Sequence, residues 1–461
     1  MQLVPTMDSV YLWGEGGNSP CHVIALQLFR PPEGSGPELV DELYERMTDP
    51  VHVKRSFRRR PVRSWASGGQ FAWEIDDDLD MRLHVRRVGL PRPSRIRELL
   101  EFLGDWHAVP LARDRPLWEA RLVEGLEDGR FALATKMHHA SLDGVNMGRH
   151  LLGGFSTDPE HRGGTAPWMV PTDERARPRR RRPIPSWSDS ARTVAGATGA
   201  FVRSLPRLAG AGVAAVREDS VALPYEAPAT RFNAPVSSGR RFAGDRWPLE
   251  RLRAVARRAG TSSNDVAIAM CGGALRGYLD ERGELPEDPL VTMVPVSLAG
   301  TDPSSAATDG NSWAAVLATL ATDTDDPVER LGRVHAAMDR SKHLMGSLDA
   351  VSATAISAVN LAGSVPISIP GVPSLPRPPF NVICSTIPAT REPLYLDGCE
   401  LEEIYPISMV LDGQALNITM VSYVDHLAFG ITGCRRSVPR LQRLLVHLEN
   451  ALVDLEKATA R

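Results

Sequence analysis

The first 170 residues alternate between short apolar runs and segments with apolar residues at helical spacing. A short apolar run is typical of a strand, whereas apolar residues three and four apart are typical of an amphipathic helix. Asp128-Gly129 lies between two apolar runs and indicates a hairpin turn. The pattern predicts strands over 22–29, 118–124 and 131–138, helices over 38–47 and 96–103, and a later helix with Val145, Gly148, Leu151 and Leu152 on one side.

A similar mixture returns beyond residue 240. The last two apolar runs are separated only by Val424-Asp425, which predicts a second hairpin. The pattern predicts helices over 249–259, 263–279 and 439–455, and strands over 290–296, 314–321, 382–386, 416–423 and 426–431. Strands and helices occur in both halves, so we expect two domains of the α/β or α+β class.

The segment between these halves has a different composition. Six arginines crowd into residues 175–182 beside two prolines, which is typical of a solvated linker. Residues 188–216 interleave alanine, glycine and valine with arginines. They form either a flexible connector or a basic, apolar segment that rests on anionic lipid. The predicted organisation is an N-terminal domain over 1–172, a linker over 173–234 and a C-terminal domain over 235–461.

Composition narrows the functional classes. The chain has 461 residues, a formal charge of -3 and 43% hydrophobic residues, so we expect no nucleic-acid partner and no multi-span membrane protein. Five scattered cysteines without a CxxC pair favour reduced thiols over a zinc ribbon or disulfide framework. No Lys or Arg precedes Arg30, and prolines interrupt the long uncharged run over 350–376. We therefore expect a cytoplasmic protein without a spanning helix.

The strongest candidate for chemistry is His138-His139-Ala140-Ser141-Leu142-Asp143-Gly144, where a predicted strand ends and a helix begins. A histidine held at a strand end can reach a cavity, and its neutral ring accepts a proton near pH 7. Asp143 would brace the turn, and Gly144 would allow close packing or an unusual dihedral angle. A chance pair of histidines and a metal site are less favoured alternatives, since no third ligand lies at a familiar spacing. A serine hydrolase is disfavoured because the chain has no G-x-S-x-G.

This HHxxxDG pattern resembles the signature of coenzyme-A-dependent acyltransferases, a superfamily that includes chloramphenicol acetyltransferases and peptide-synthetase condensation domains. Further segments are similar to the bacterial wax ester synthase/diacylglycerol acyltransferase family over essentially the whole chain. They are the opening from Met7-Asp8 to His22-Val23, Arg115-Pro116-Leu117-Trp118-Glu119, Ser263-Asn264-Asp265-Val266, Arg391-Glu392-Pro393-Leu394, Tyr405-Pro406-Ile407-Ser408 and Asp412-Gly413-Gln414-Ala415-Leu416-Asn417.

The resemblance implies a role for each matching residue. His139 corresponds to the general base that takes the proton of an acceptor hydroxyl, and His138 supports it. Asn264 corresponds to a polar residue that helps the oxyanion or positions substrate. Asp143 and Gly144 are expected to be structural, as is Asp265, whose charge suits a helix N-terminus. Pro116, Leu117 and Trp118 either fill a core or line the channel of the acyl acceptor.

The resemblance also implies the fold and the reaction. We expect two chloramphenicol-acetyltransferase-like domains with mixed sheets flanked by helices and an active-site tunnel at their interface. The expected reaction moves a fatty acyl group from acyl-CoA to a diacylglycerol or long-chain alcohol, with no metal and no cofactor. Peripheral contact with an anionic membrane or lipid droplet would follow from the arginine cluster.

Two alternatives stay open from the residues. One is a related transferase acting on another hydroxyl or an amine, such as a glycolipid or antibiotic. The other is a lipid-binding homologue without catalysis, prompted by a departure from the family pattern. The family carries Ser-Asn-x-Pro-Gly-Pro where this chain has Ser385-Thr386-Ile387-Pro388-Ala389-Thr390. Loss of the glycine and a proline predicts a loop with changed backbone freedom and altered lipid specificity.

Overall fold

The structure is a computed structural model that describes residues 2–63, 69–141, 151–170, 225–297, 313–346 and 377–460. Asp143, Gly144, the arginine cluster over 175–182, the segment 188–216 and the uncharged run over 350–376 lie outside these residues, as does most of the predicted helix after residue 144. The strands, in chain order, are β1 (Gln2–Leu3), β2 (His22–Arg30), β3 (Arg59–Arg63), β4 (Phe71–Ile75), β5 (Val85–Gly89), β6 (Trp118–Glu124), β7 (Phe131–His138), β8 (Arg240–Pro248), β9 (Val291–Ser297), β10 (Trp313–Thr319), β11 (Val382–Pro388), β12 (Tyr395–Leu396), β13 (Cys399–Ile407), β14 (Leu416–Tyr423) and β15 (His426–Cys434). The helices are α1 (Thr6–Gly14), α2 (Glu38–Met47), α3 (Met81–His84), α4 (Ile96–His107), α5 (Leu249–Ala259), α6 (Ser263–Asp280), α7 (Pro327–Gly346) and α8 (Arg443–Thr459).

The first large sheet has the strand order β12-β13-β2-β7-β6-β5. Every residue of β7 is buried, which explains why this strand is nearly continuous in apolar residues. The predicted hairpin at Asp128-Gly129 joins β6 and β7 as antiparallel neighbours. Its Gly129 has a φ of 79°, a conformation that glycine adopts without steric cost. β2 and β7 are also antiparallel, and their register pairs His22 with His138.

The second large sheet has the order β10-β9-β11-β14-β15-β8. β11 lies parallel to both of its neighbours, whereas the other pairs in this sheet are antiparallel. Helices α5, α6, α7 and α8 pack against one face of the sheet and form the largest apolar core. A third, small sheet has the order β1-β4-β3. The two large sheets are thus mixed and flanked by helices, as expected.

The two large sheets also share a core. α4 buries Leu99 and Leu103 against one face of the first sheet, in a cluster that includes Phe242 of β8 and Ala428 of β15. Gly104 of α4 allows this approach, because a Cβ atom there would lie 3.1 Å from the carbonyl oxygen of Arg240. The two halves of the chain therefore meet through packed side chains.

Several elements were not predicted from the sequence. They are β1, α1, α3, β3, β4, β5, β8, β12, β13 and α7, and the last helix begins at Arg443 where the sequence predicted Pro439. Residues 235–461 were expected to form one C-terminal domain, yet β12 and β13 of that segment complete the first sheet. β13 pairs antiparallel with β2, so backbone hydrogen bonds carry the second half of the chain across to the first. Among the described residues, no helix combines the length and apolar character needed to cross a membrane.

Candidate active site

The two histidines of the HHxxxDG pattern lie where β7 ends. His138 is the last residue of the strand, and His139–Ser141 form a 3₁₀ turn. The backbone N–H of His138 donates to the carbonyl oxygen of Leu117 at 3.0 Å, and that of His139 donates to the carbonyl oxygen of Cys21 at 2.8 Å. Hydrogen bonds to two other segments of the chain therefore fix the backbone of both histidines.

The two imidazoles have different environments. His138 is fully buried, and its Nδ1 accepts a hydrogen bond from the N–H of Ala140 at 3.1 Å. His139 is half-buried, and its ring packs on Tyr11 with 4.2 Å between ring centroids and an angle of 30° between planes. Nδ1 of His139 is buried without a hydrogen-bond partner among the described residues. Of the two histidines, His139 is therefore the one whose side chain is partly exposed.

The electrostatics of His139 favour its neutral form. Burial, with a smaller contribution from the neighbouring His138, lowers its pKa to about 4. An imidazole with this pKa is uncharged near pH 7 and can accept a proton. The structure thus places a neutral proton acceptor at the position that the sequence singled out.

A buried carboxylate lies behind the histidines. Glu15 is the C-cap of α1, and its side chain is only 6% exposed. Burial alone would raise the pKa of this carboxyl, but His138, Arg113 and the N–H of Cys21 together lower it to about 2. Arg113 donates to Oε2 of Glu15 from Nη2 at 2.9 Å and from Nε at 3.3 Å. Glu15 is therefore a carboxylate at every pH at which the protein would be assayed.

A cluster of basic groups is buried beside His138. His22 Nε2 lies 2.7 Å from the carbonyl oxygen of His107, and their rings are 4.8 Å apart. Burial lowers the pKa of His22 well below its usual value and that of His107 to about 3. Nζ of Lys136 donates to the carbonyl oxygens of Trp106 and Val109, and burial lowers its pKa to about 8. His22 and His107 are consequently neutral near pH 7, so they add no positive charge next to His138.

Asn264 lies in the first turn of α6. Its Oδ1 accepts a hydrogen bond from Oγ1 of Thr386 on β11 at 2.8 Å. Because Oδ1 accepts this hydrogen bond, the side-chain NH₂ group of Asn264 is available as a donor, and an oxyanion requires a donor. Asn264 is half-buried, so its amide is not enclosed by the core.

Asp265, the next residue, is buried and holds the start of the helix. Together with Ser262 it completes a capping box, in which Ser262 Oγ accepts from the N–H of Asp265 and Oδ2 of Asp265 accepts from the N–H of Ser262. The same oxygen lies 2.8 Å from Nδ1 of His335 on α7. These contacts agree with a structural role, because they satisfy backbone donors at a helix N-terminus.

Pro116, Leu117 and Trp118 are buried. The indole N–H of Trp118 donates to the carbonyl oxygen of Phe57 at 2.8 Å, and its ring stacks on Trp168 at 5.0 Å. Leu117 and Trp118 belong to apolar core clusters, and lining of an acyl-acceptor channel by the segment stays a prediction. The carbonyl of Leu117 also holds the N–H of His138, so the segment supports the motif through the backbone.

Two segments that resemble the family, 405–408 and 412–417, and the departing segment 385–390 meet at one threonine. Oγ1 of Thr419 on β14 shares hydrogen bonds with Oγ of Ser408 at 2.7 Å and Oγ of Ser385 at 2.9 Å, and donates to Oδ1 of Asn417 at 2.8 Å. The departure at 385–390 was expected to alter a loop, but Ser385–Pro388 belong to β11. Ala389 is not in the left-handed region that favours glycine, so the backbone there does not require one.

Three groups around the motif were not predicted from the sequence: Glu15, Arg113 and Tyr11. The only signal was that the opening of the chain resembles the family, which pointed to no single residue. A surface cavity of about 460 Å³ and another of about 340 Å³ lie among the described residues, and His139 lines neither of them. The expected tunnel between the domains stays a prediction.

Comparison with known proteins agrees with this architecture. The wax ester synthase/diacylglycerol acyltransferase catalytic-domain model matches residues 4–267, and the C-terminal-domain model of the same family matches residues 309–456. A protein of Mycobacterium tuberculosis named as a probable diacylglycerol O-acyltransferase, tgs2, is 43% identical over 99% of both chains. The O-acyltransferase WSD of Acinetobacter baylyi is 34% identical over 100% of this chain and 98% of its own length.

Solved structures show the same fold. The wax ester synthase/diacylglycerol acyltransferase from Marinobacter aquaeolei VT8 is 34% identical, covers 100% of both chains and superposes with a TM-score of 0.79. The starter condensation domain of rhizomide synthetase covers 100% of this chain and 94% of its own with a TM-score of 0.59, at 13% identity. This second likeness confirms the expected acyltransferase-type fold. Family models that match both halves and relatives similar along the full length lead to one conclusion: the chain belongs to the wax ester synthase/diacylglycerol acyltransferase family.

Proposed function

We propose that the protein transfers a fatty acyl group from acyl-CoA to the hydroxyl of a diacylglycerol or a long-chain alcohol, with His139 as general base. Its family membership makes it an acyltransferase. The observation that carries the role of His139 is a half-buried imidazole, neutral because its pKa is about 4, on a backbone held by Cys21. The products would be triacylglycerol or wax ester.

The reaction follows from these groups. The neutral imidazole of His139 takes the proton of the acceptor hydroxyl as its oxygen attacks the thioester carbon. The tetrahedral intermediate then expels the CoA sulfur, which receives the proton from the imidazolium. A positioned base contributes about 10²- to 10⁴-fold. The amide N–H of Asn264, directed at the oxyanion, would contribute about 10²- to 10³-fold.

The reaction needs no cofactor in this scheme, since acyl-CoA is a co-substrate. The lipid acceptor lies in or on a membrane or lipid droplet, so we place the protein in the cytoplasm with peripheral contact to an anionic surface. The arginine cluster over 175–182, which is outside the described residues, would supply that attraction. Vesicle flotation with and without anionic lipid measures this contact.

Replacing His139 tests the proposal directly. Purified wild-type protein is expected to release free CoA only when acyl-CoA and an alcohol acceptor are both present. His139→Ala should lower kcat by about 10²- to 10⁴-fold, because the proton of the attacking hydroxyl loses its acceptor. The exposed His161 provides the control, and His161→Ala should keep wild-type turnover. Full transfer activity in His139→Ala would contradict the proposed base.

The acceptor is tested separately. Mass spectrometry of neutral lipids from cells expressing the wild type or His139→Ala should show triacylglycerol or wax ester only with the wild type. A panel of glycolipid, amine and antibiotic acceptors covers the related transferases. Turnover confined to that panel would replace the proposed acceptor, and acyl-CoA binding without CoA release would support a non-catalytic homologue.

A further inference from the structure

The end of α1 carries a charged group in an unusual place. A carboxylate that is only 6% exposed requires hydrogen bonds or an opposite charge, because burying an unpaired charge is costly. Glu15 has both, because it accepts from the N–H of Cys21 and from Arg113, and it lies beside His138, the neighbour of His139. Its position therefore concerns the reaction as well as the fold.

One oxygen of Glu15 holds the backbone of the motif indirectly. Oε1 accepts a hydrogen bond from the N–H of Cys21 at 3.0 Å. The carbonyl oxygen of Cys21 in turn accepts from the N–H of His139 at 2.8 Å. A displacement of the carboxylate would therefore release Cys21, and with it the backbone contact of His139.

The same oxygen faces the first histidine. Nε2 of His138 lies 3.6 Å from Oε1 of Glu15, while Nδ1 accepts from the N–H of Ala140. An imidazole that accepts at Nδ1 has its proton on Nε2, and this N–H lies beside the carboxylate at a distance too long for a direct hydrogen bond. Glu15 therefore favours the tautomer that leaves Nδ1 free to hold the 3₁₀ turn.

Arg113 fixes the other oxygen of Glu15. Its guanidinium donates twice to Oε2 and once to the carbonyl oxygen of Leu12 at 2.8 Å. One turn earlier on α1, the ring of Tyr11 packs against the imidazole of His139. Helix α1 thus contacts the imidazole of His139 directly through Tyr11. Its C-cap residue, Glu15, supports the 3₁₀ turn through Cys21.

We propose that Glu15 is a positioning residue for acyl transfer, which keeps His139 in its reactive orientation through His138 and Cys21. The proposal depends on the proposed role of His139 as base. A shift of about 1 Å in a reacting group can cost about 10²-fold in rate, so the hold on this turn affects kcat. In this proposal Glu15 acts on the rate of the chemical step, so we expect its loss to leave the binding of acyl-CoA and of the acceptor unchanged.

Glu15→Gln separates the contacts of the carboxylate. Glutamine has one oxygen and one NH₂ group, so it cannot accept from Arg113 and also accept from Cys21 beside His138. We expect kcat to fall by about 10- to 100-fold, with the KM values for acyl-CoA and acceptor within about twofold of wild type. Glu74→Gln is the matched control, because Arg60 holds Glu74 with the same two-pronged contact between β3 and β4. Its kcat should equal that of the wild type.

A second measurement reports the imidazole itself. In protein labelled with ¹⁵N-histidine, the resonance of His138, identified with His138→Gln, should show protonation at Nε2 in the wild type and a mixture of tautomers in Glu15→Gln. If Glu15→Gln melts below the assay temperature, Glu15→Asp takes its place. Aspartate keeps the charge but is one methylene shorter, and kcat should again fall at unchanged KM.

The outcomes separate this proposal from the proposed function. Wild-type kcat in Glu15→Gln, or an unchanged tautomer of His138, overturns the positioning role while His139→Ala still tests the base. A rise in KM without a fall in kcat would also overturn it, because that result belongs to a substrate-binding residue. An active His139→Ala contradicts the base and leaves the spectrum of His138 to decide whether Glu15 sets its tautomer.

Discussion

His138 and His139 are adjacent in sequence but differ in exposure, and the difference decides what each can do. His138 is the last residue of β7, a strand in which every residue is buried, whereas His139 begins the 3₁₀ turn that follows the strand. His138 is accordingly fully buried and His139 half-buried. The buried ring can support the motif, and the other ring can meet substrate.

The lowered pKa of His139 leads to a pH prediction. The group must be neutral to accept a proton, and protonation becomes significant only near its pKa of about 4. We expect kcat/KM to be constant between about pH 5 and 7 and to fall as the pH decreases through about 4. The profile is measured with circular dichroism at each pH to confirm folding. An acid limb centred near 6.5 would show an imidazole that burial leaves unperturbed.

Sequence predicted the residues of the motif but not their supports. His138, His139 and Asn264 were identified from short local patterns. Glu15 and Arg113 are distant from the motif along the chain, and their pairing exists only once α1 lies beside the 3₁₀ turn. A lone glutamate beside glycines has no local feature that marks it as buried.

At the scale of elements, periodicity predicted the strands and helices that bury a simple apolar face. β2, β7, β14, α5 and α6 all lie where the pattern placed them, with small differences at their ends. α7 was missed although Leu331, Val334 and Met338 are buried at helical spacing, because charged residues interleave them. β13 was missed because its segment combines glutamates with apolar residues.

The start of α6 should affect both stability and activity. Ser262→Ala removes the oxygen that accepts from the N–H of Asp265. Loss of such a cap costs about 1 kcal/mol in the free energy of unfolding, measured by urea denaturation. We expect a smaller kcat as well, because Asn264 lies in the frayed turn. The exposed Ser35 lies outside any helix, and Ser35→Ala should change neither quantity.

At the scale of the whole molecule, β13 joins the two large sheets. It pairs with β2 in the first sheet, and its Pro406 lies against β15 of the second. A Cβ atom on Gly430 would lie 2.0 Å from the carbonyl oxygen of Pro406, so only glycine allows this approach. The two large sheets therefore approach each other closely at this backbone contact.

Gly430→Ala tests that contact. The added methyl group must push β13 away from β15, and we expect a loss of about 1–3 kcal/mol in the free energy of unfolding. Gly332→Ala is the control, because a Cβ atom there meets nothing within 4 Å on the exposed side of α7. Alanine in a helix should stabilise by about 0.5–1 kcal/mol. Equal stability of the two variants would contradict the close contact.

The amino-acid sequence alone determined the class of elements, the two-part organisation and the histidine motif, because these depend on short-range periodicity and on residue types at fixed spacing. The tertiary structure decided which strands pair across the halves, which of the two histidines is enclosed, and that Glu15 and Arg113 support them. Such features depend on contacts between segments far apart in the chain. Desolvation and ion pairing, which set the pKa values of His139 and Glu15, arise only when those segments pack together.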